Sequence, residues 1–320
     1  MGNIDVSVIL LTYKPDWEKL KGTLYSIITQ KEVKYEVIIC DDGSMQDYRE
    51  EIEQYIREKE INEYTYVKNV QNVGTVKNYL SGLRQANGRY VFGISPGDMF
   101  FDEMTLRDMV KFCDERQVKI CFGNAVYYNH EEGAAKTFSG LNAPKRPQVY
   151  SESASCFNVK MMFFNGENIL GVTYFKERQC ALECFEEIAN SAKYLEDKCS
   201  TAVALMKGYR IVHYDRIIVW YEKGSGISTS GNNEWSKKLS DDYNRVIFDM
   251  KKKYPKDRVL DMVYIRKTYT NKYKKLLVMM LKHPLYFGFK IYRKFIKVVY
   301  TESSEKLQKQ LEDMLRMEGK

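Results

Sequence analysis

Asp41 and Asp42 close the apolar run Val37-Ile38-Ile39-Cys40, at the point where Gly43 and Ser44 begin a turn. The run has no polar alternation, which suits a strand covered on both faces in a parallel sheet. Two carboxylates at the carboxyl end of such a strand stand on the edge where open α/β sheets bind ligands. The same residues also suit a plain strand-to-helix turn with Ser44 or Asp42 as helix cap, and the segment alone leaves both readings open. Thiol and imidazole chemistry finds less support. The seven cysteines (40, 113, 121, 156, 180, 184 and 199) form no CxxC pair and have no histidine at ligand spacing. Neither a zinc site nor a disulfide scaffold is indicated, and they read as reduced core thiols in a cytoplasm. His130 and His283 have no constellation around them, and His213 lies mid-strand.

The elements that must position these carboxylates follow from periodicity. Residues 6–11 form a second apolar run that ends at Thr12-Tyr13-Lys14-Pro15. Pro15 suits a first helical turn, after which Trp17, Leu20, Leu24, Ile27 and Ile28 recur at helical spacing. Strand 34–42 then completes a strand–helix–strand unit. The alternation continues with helix 46–59, strand 63–68, a loop from Asn69 to Gly74, helix 75–86 and strand 90–95. The turn Pro96-Gly97-Asp98, helix 102–116 and strand 118–127 follow. Residues 130–155 predict loops and short strands, 156–175 read as strand-like, 176–208 as helical and 209–221 as strand. A Gly/Ser loop covers 222–230, and helix is expected from 234 to the end. The fold class is α/β: a mostly parallel sheet with flanking helices, plus a helical C-terminal region.

At 320 residues, 44% hydrophobic and 29% charged, the chain can bury a substantial core. The first residues lack a basic region and an apolar stretch of signal-peptide length, and no window reaches membrane-spanning length. The net charge of +7 is concentrated late in the chain. Between Val263 and Tyr300 there is no Asp or Glu, while Lys and Arg alternate with Leu, Met, Tyr and Phe.

The segments VSVILLTYKP, YEVIICDDGS, NVGTVKN, GRYVFGISPGD, YLED and YEKGSGIST occur in an order that resembles the GT-A fold glycosyltransferases of family 2. The resemblance covers roughly residues 5–230, and several linked motifs in order are more specific than any one alone. It implies an inverting transfer of a hexose-type sugar from a nucleotide-diphosphate sugar, UDP-linked, to an acceptor hydroxyl. Domain limits of 1–232 for the transferase (1–127 nucleotide-binding, 128–232 acceptor half) and 233–320 for the helical region follow.

Carried onto matching positions, the resemblance gives Thr12, Tyr13, Asp41, Asp42, Asn72, Gly74, Lys77, Asp98, Lys223 and Ser225 to the nucleotide. Tyr13 would stack on the base, and Asp42 would accept the imide N–H that uracil presents and cytosine lacks. Lys77, near a helix N-terminus, would attend phosphate charge. Lys223 and Ser225 lie on a Gly-rich loop that would close over the diphosphate. Family members carry Asp-x-Asp for Mn²⁺ or Mg²⁺; here Ser95-Pro96-Gly97-Asp98 keeps only Asp98, which a few phosphate and water ligands could supplement. Asp197 matches the base that takes the acceptor proton, with Glu196 as its neighbour.

Alternatives stand beside each assignment. Taken singly, Tyr13 reads as an ordinary core tyrosine, Lys77 as part of a solvated helix face, Asp98 as a helix cap, and Glu196-Asp197 as an exposed charge run. The tail 264–300 suits an anionic membrane surface, where a lipid-linked glycan acceptor would be met on the inner face of the cell membrane. It equally suits a helical domain packed on the core. No nucleic-acid motif is present. A surface polysaccharide or glycoconjugate is the expected product. The weakened metal motif keeps a non-catalytic sugar-nucleotide-binding or scaffolding protein as the rival.

Overall fold

The computed structural model describes residues 4–46, 48–59, 63–131, 134–224 and 233–318. Its first half alternates: β1 (Val6–Thr12), α1 (Trp17–Ile28), β2 (Tyr35–Asp41), α2 (Arg49–Glu58), β3 (Tyr64–Lys68), α3 (Thr75–Gln85) and β4 (Tyr90–Ile94). Then come β5 (Met99–Phe100), α4 (Thr105–Arg116), β6 (Ile120–Glu131), β7 (Ala134–Phe138), β8 (Gly140–Leu141) and α5 (Cys156–Phe164). The acceptor-side elements are β9 (Tyr174–Glu177), α6 (Arg178–Ile188), α7 (Glu196–Met206) and β10 (Ile211–Glu222). The chain ends with α8 (Asn233–Lys253), α9 (Arg258–Thr268), α10 (Lys272–Lys282), α11 (Pro284–Phe295), β11 (Tyr300–Thr301) and α12 (Glu305–Glu318).

The main sheet runs β3-β2-β1-β4-β9-β6-β10-β5, with β7 beside β6. β1, β2, β3 and β4 are mutually parallel, as are β6 and β10. β9 runs antiparallel between β4 and β6, so those two strands share one direction. The uninterrupted apolar runs of β1 and β2 are buried because helices cover both faces. Leu20, Leu24 and Ile27 of α1, with α2 and α4, fill one side. The inward faces of α3, α5, α6, α7, α8 and α9 fill the other.

Three expectations are corrected. Residues 156–175 are not mainly strand: α5 opens where the Ser155 hydroxyl accepts the Asn158 N–H at 3.2 Å, and Val159 and Met161 to Phe164 are buried. A mostly apolar segment fits a helix as well as a strand, and the Ser155 N-cap marks this one as a helix. The stretch 176–208 begins in β9, and a loop separates α6 from α7. The tail is not helical throughout, since β11 pairs antiparallel with β8.

The C-terminal region divides in its packing. Val259, Leu260, Met262, Val263 and Ile265 of α9 join the main core, whereas α10 buries only Met279 and α11 only Tyr286. α12 returns to the sheet, seating Leu311 against Met99, Val126, Tyr128 and Trp220. Among the described residues, no helix is long and apolar enough to cross a membrane.

Candidate active site

A cleft of about 480 Å³ opens at the carboxyl ends of β1 and β4, walled by the start of α1, the end of β10 and the first turn of α7. Tyr13, Lys19, Asp98, Lys176, Glu196, Asp197 and Glu222 all line it. Tyr13 keeps 47% of its surface exposed, and Lys14 Nζ lies 5.2 Å from its ring centroid. That exposure sets it apart from a core tyrosine and leaves a ring face open to a planar ligand.

The paired aspartates divide their work. Asp41 accepts the Ser44 hydroxyl at 2.5 Å and the Ser44 N–H at 3.2 Å, and Lys68 Nζ lies 3.9 Å away. It braces the turn in which Gly43 adopts φ +76°, where a Cβ would meet the Gln71 backbone at 2.6 Å. Asp42 accepts the N–H groups of Val73 at 2.8 Å and Gly74 at 2.9 Å, and Asn69 Nδ2 at 3.3 Å. Burial pushes its carboxyl up, while the bonds from Val73 and Gly74 pull it back. Asp42 thereby fastens the loop bearing Asn72 and Gly74 instead of lining the cleft.

Thr12 is buried, its hydroxyl donating to the Cys40 carbonyl at 3.4 Å. Lys77 is exposed on α3, and Lys223 is exposed after β10 with Nζ 4.9 Å from the Phe138 ring centroid. Ser225 lies outside the described residues.

Asp98 ends a turn closed by its own N–H on the Ser95 carbonyl at 3.0 Å, with Gly97 at φ +98°. It is not a helix cap. In the turn before α4, whose N-cap is Met104, it is Asp102 that accepts the Met104 N–H at 2.9 Å and the Thr105 hydroxyl at 3.0 Å. Asp98 Oδ1 instead accepts the Glu222 N–H at 3.2 Å. Burial holds its carboxyl well above the usual range, with the Glu222 charge adding to the effect. Glu222 is in turn paired with Lys19, Oε1 to Nζ 2.8 Å.

This donor set does not fit a divalent ion held by protein alone. Among the described residues no three metal-ligating side chains gather, and the second carboxylate near Asp98 already holds an ammonium. No step is therefore assigned to a metal.

Glu196 and Asp197 occupy the first turn of α7, half-buried in the cleft, rather than forming an exposed charge run. The helix N-terminus favours anions there, and Asp197 Oδ1 accepts the Lys198 N–H at 2.5 Å. Gly171 passes close by: a Cβ there would lie 3.2 Å from Asp197 Cβ. Burial, then the adjacent Asp197 charge, pushes Glu196 up to about 8. Burial also raises Asp197, opposed by the Lys198 N–H and the positive charge of Lys176.

Lys176 is itself buried, donating to the Ser200 hydroxyl at 3.3 Å, with Nζ 4.3 Å from the Tyr174 ring centroid. The Glu196 and Asp197 carboxyls are thus both raised by burial, Glu196 to about 8, and the two interact strongly enough that they titrate as a pair.

Sequence reading missed Lys19, Lys176, Glu222 and Asp242. The last lies on α8 and accepts the N–H groups of Lys193, Tyr194 and Leu195, the loop that delivers the acid pair. Glu222 had a signal, a carboxylate ending an apolar strand as Asp41 does. Lys19 also had one, as the outward residue of a first helical turn beside Tyr13. Asp242 had none.

No curated protein matches the chain. Among solved structures, S. aureus TarS matches with a TM-score of 0.51 at 20% identity, covering 85% of this chain and 41% of that one. The present chain thus spans less than half of that TarS chain. TarS 1-349 in complex with UDP-GlcNAc gives 0.52 at 16% identity, covering 89% and 84%. The mannosyltransferase PcManGT from Pyrobaculum calidifontis, in complex with GDP-Man and Mn2+, gives 0.54 at 14% identity, covering 99% and 87%. At such identities the likeness establishes a shared α/β fold. The profile described as Glycosyl transferase family 2 matches residues 7–175, more than half of the 320 residues. With a cleft at the strand ends holding the motif carboxylates Asp98, Glu196 and Asp197, the chain belongs to glycosyl transferase family 2.

Proposed function

We propose that the protein is an inverting enzyme that moves a sugar from a UDP-sugar to an acceptor hydroxyl, with Asp197 as the base. The observation that carries this reading is the convergence of Tyr13, Asp98, Glu196 and Asp197 on one cleft. The uridine ring stacks on Tyr13, while Asp42 acts behind the cleft wall by fastening the Val73–Gly74 loop. TarS complexes with UDP and UDP-GlcNAc support a uridine donor.

Lys19 supplies positive charge to the diphosphate from the cleft wall, and the exposed Lys77 and Lys223 add longer-range positive charge. The acceptor oxygen attacks C1 as the C1–O bond to the diphosphate breaks. Its proton passes to Asp197, and UDP leaves with the bonding pair. Glu196, whose carboxyl burial pushes up to about 8, disfavours a second negative charge in the site, and Asp197 takes the acceptor proton.

The acceptor is a lipid-linked glycan met at the inner face of a membrane, in building a surface polysaccharide or glycoconjugate. Support comes from α10 and α11, where Tyr273, Leu277, Leu281, Leu285 and Phe295 are exposed beside Lys272, Lys274, Lys275, Lys290 and Lys294. Apolar anchors with cations and no acid suit an anionic lipid surface, on which each cation is worth about 1 kcal/mol.

Donor turnover and UDP binding measured in Asp197→Asn test the assignment. A fall of roughly 10²–10⁴ in kcat with unchanged UDP affinity is expected of a lost general base; turnover within a few-fold of wild type would remove Asp197 from that role.

A further inference from the structure

A second cavity, of about 370 Å³, lies on the other side of the turn that presents Asp197. Lys198, Arg266 and Lys267 line it together with Asn168 and Tyr243, and no carboxylate does. Lys198 Nζ and Lys267 Nζ face the same ring, 4.3 Å and 5.0 Å from the Tyr243 centroid. Arg266 Nη1 is held on the Phe164 carbonyl and on Asn165 Oδ1, each at 3.1 Å.

Among the described residues, none of these three cations forms an ion pair. Apart from Asp197, whose charge acts on Lys198 from the neighbouring cleft, the three cations have no counter-charge in the cavity, so the arrangement suits a site whose anion arrives from outside. Burial lowers both lysines; the Asp197 charge partly offsets this for Lys198, while Lys267 and Arg266 lower Lys198, and Arg266 lowers Lys267, further. Asn168 adds a second sign of an absent ligand: its Oδ1 is buried with no hydrogen-bond partner at the same wall. A rotated Asn168 amide would present two N–H donors to an anion.

We propose that this cavity binds a phosphate group carried by the acceptor. Lys198 follows Asp197 directly on α7, so a phosphate held there places the acceptor's nearby hydroxyls beside the acid pair. The acceptor part of the proposal rests on Asp197 being the base; the phosphate site stands on its own residues. Arg and Lys each have a part: the planar guanidinium orients two phosphate oxygens, while the ammoniums supply charge from the opposite side.

The test is a calorimetric titration of the full chain, saturated with UDP, using inorganic phosphate and then glycerol phosphate. One site is expected that UDP does not displace. Lys267→Gln and Arg266→Gln should each weaken it about tenfold, the equivalent of one charge-assisted hydrogen bond, while leaving UDP affinity unchanged. Lys267 is exposed, so its variant keeps the test valid should Arg266→Gln fold poorly.

Phosphate displaced by UDP, equal affinity in both variants, or no binding up to tens of millimolar would each overturn the proposal. A parallel arm uses vesicles of phosphatidylcholine with and without phosphatidylglycerol. Vesicle binding that depends on Lys267 and Arg266, with no binding of free phosphate, would replace the acceptor site by a lipid contact. Phosphate binding retained in Asp197→Asn alongside full turnover would leave this site standing and refute only the base assignment.

Discussion

Asp242 on α8 accepts the Tyr194 N–H at 2.6 Å, and the same carboxylate oxygen also takes the N–H groups of Lys193 at 2.9 Å and Leu195 at 3.2 Å. A carboxylate that is 1% exposed thus pins the loop leading into Glu196 and Asp197. Lys193 also accepts the Val76 N–H at 3.1 Å, tying this loop to the first turn of α3 on the donor side. The C-terminal region is therefore part of the machinery that positions the acid pair.

Asp242→Asn tests this. The amide keeps one acceptor but loses the charge that three N–H groups share, so a stability loss of about 2–3 kcal/mol is expected by denaturant unfolding. In the folded fraction kcat should fall more than UDP affinity does. Unchanged kcat would show that the loop finds its position without α8.

Glu196 governs how stability varies with pH. With its folded pKa near 8 against an ordinary 4.5, the folded state keeps a proton that the unfolded chain releases. Stability therefore falls as pH rises from about 4.5 to 8 and levels off above. The shift bounds the effect at roughly 5 kcal/mol, and solvent in the open cleft reduces it. Melting temperature against pH should slope downward across this window in the wild type and be flatter in Glu196→Gln; equal slopes would mean that Glu196 is ionised throughout.

Lys19 and Glu222 form a pair whose carboxylate is 5% exposed and whose ammonium is 34% exposed. Lys19→Met removes the cation and leaves the buried charge of Glu222 beside Asp98. A loss of about 2 kcal/mol in stability, with weaker UDP binding, is expected, and Glu222→Gln in the same background should restore part of the stability. A double-mutant cycle with no coupling would show the pair to be incidental.

Much of the fold was legible locally. Val37 to Cys40, and Val6 to Leu11, announce doubly covered strands because an apolar β-branched run without alternation has few other homes. The turn residues Gly43 and Gly97 mark the strand ends, both at positive φ. The run 156–164 misled because its apolar residues, interrupted only at Asn158 and Lys160, keep no clear period to separate helix from strand. Tyr13, Asp98, Glu196 and Asp197 were singled out through the order of motifs, since each taken locally reads as an ordinary core, cap or surface residue, and the structure brings all four to one cleft.

The sequence by itself determined the alternating strands and helices, the edge of the sheet at which chemistry gathers, and the charges available there, since each depends on neighbours a few residues apart. Tertiary structure alone decided which distant groups meet. Glu222 reaches Lys19 across the cleft, Asp242 on α8 holds the loop before α7, and Lys198 shares a cavity with Arg266 and Lys267 of α9. Such pairings depend on long-range packing of one helix face against another, and no local pattern of residues records that.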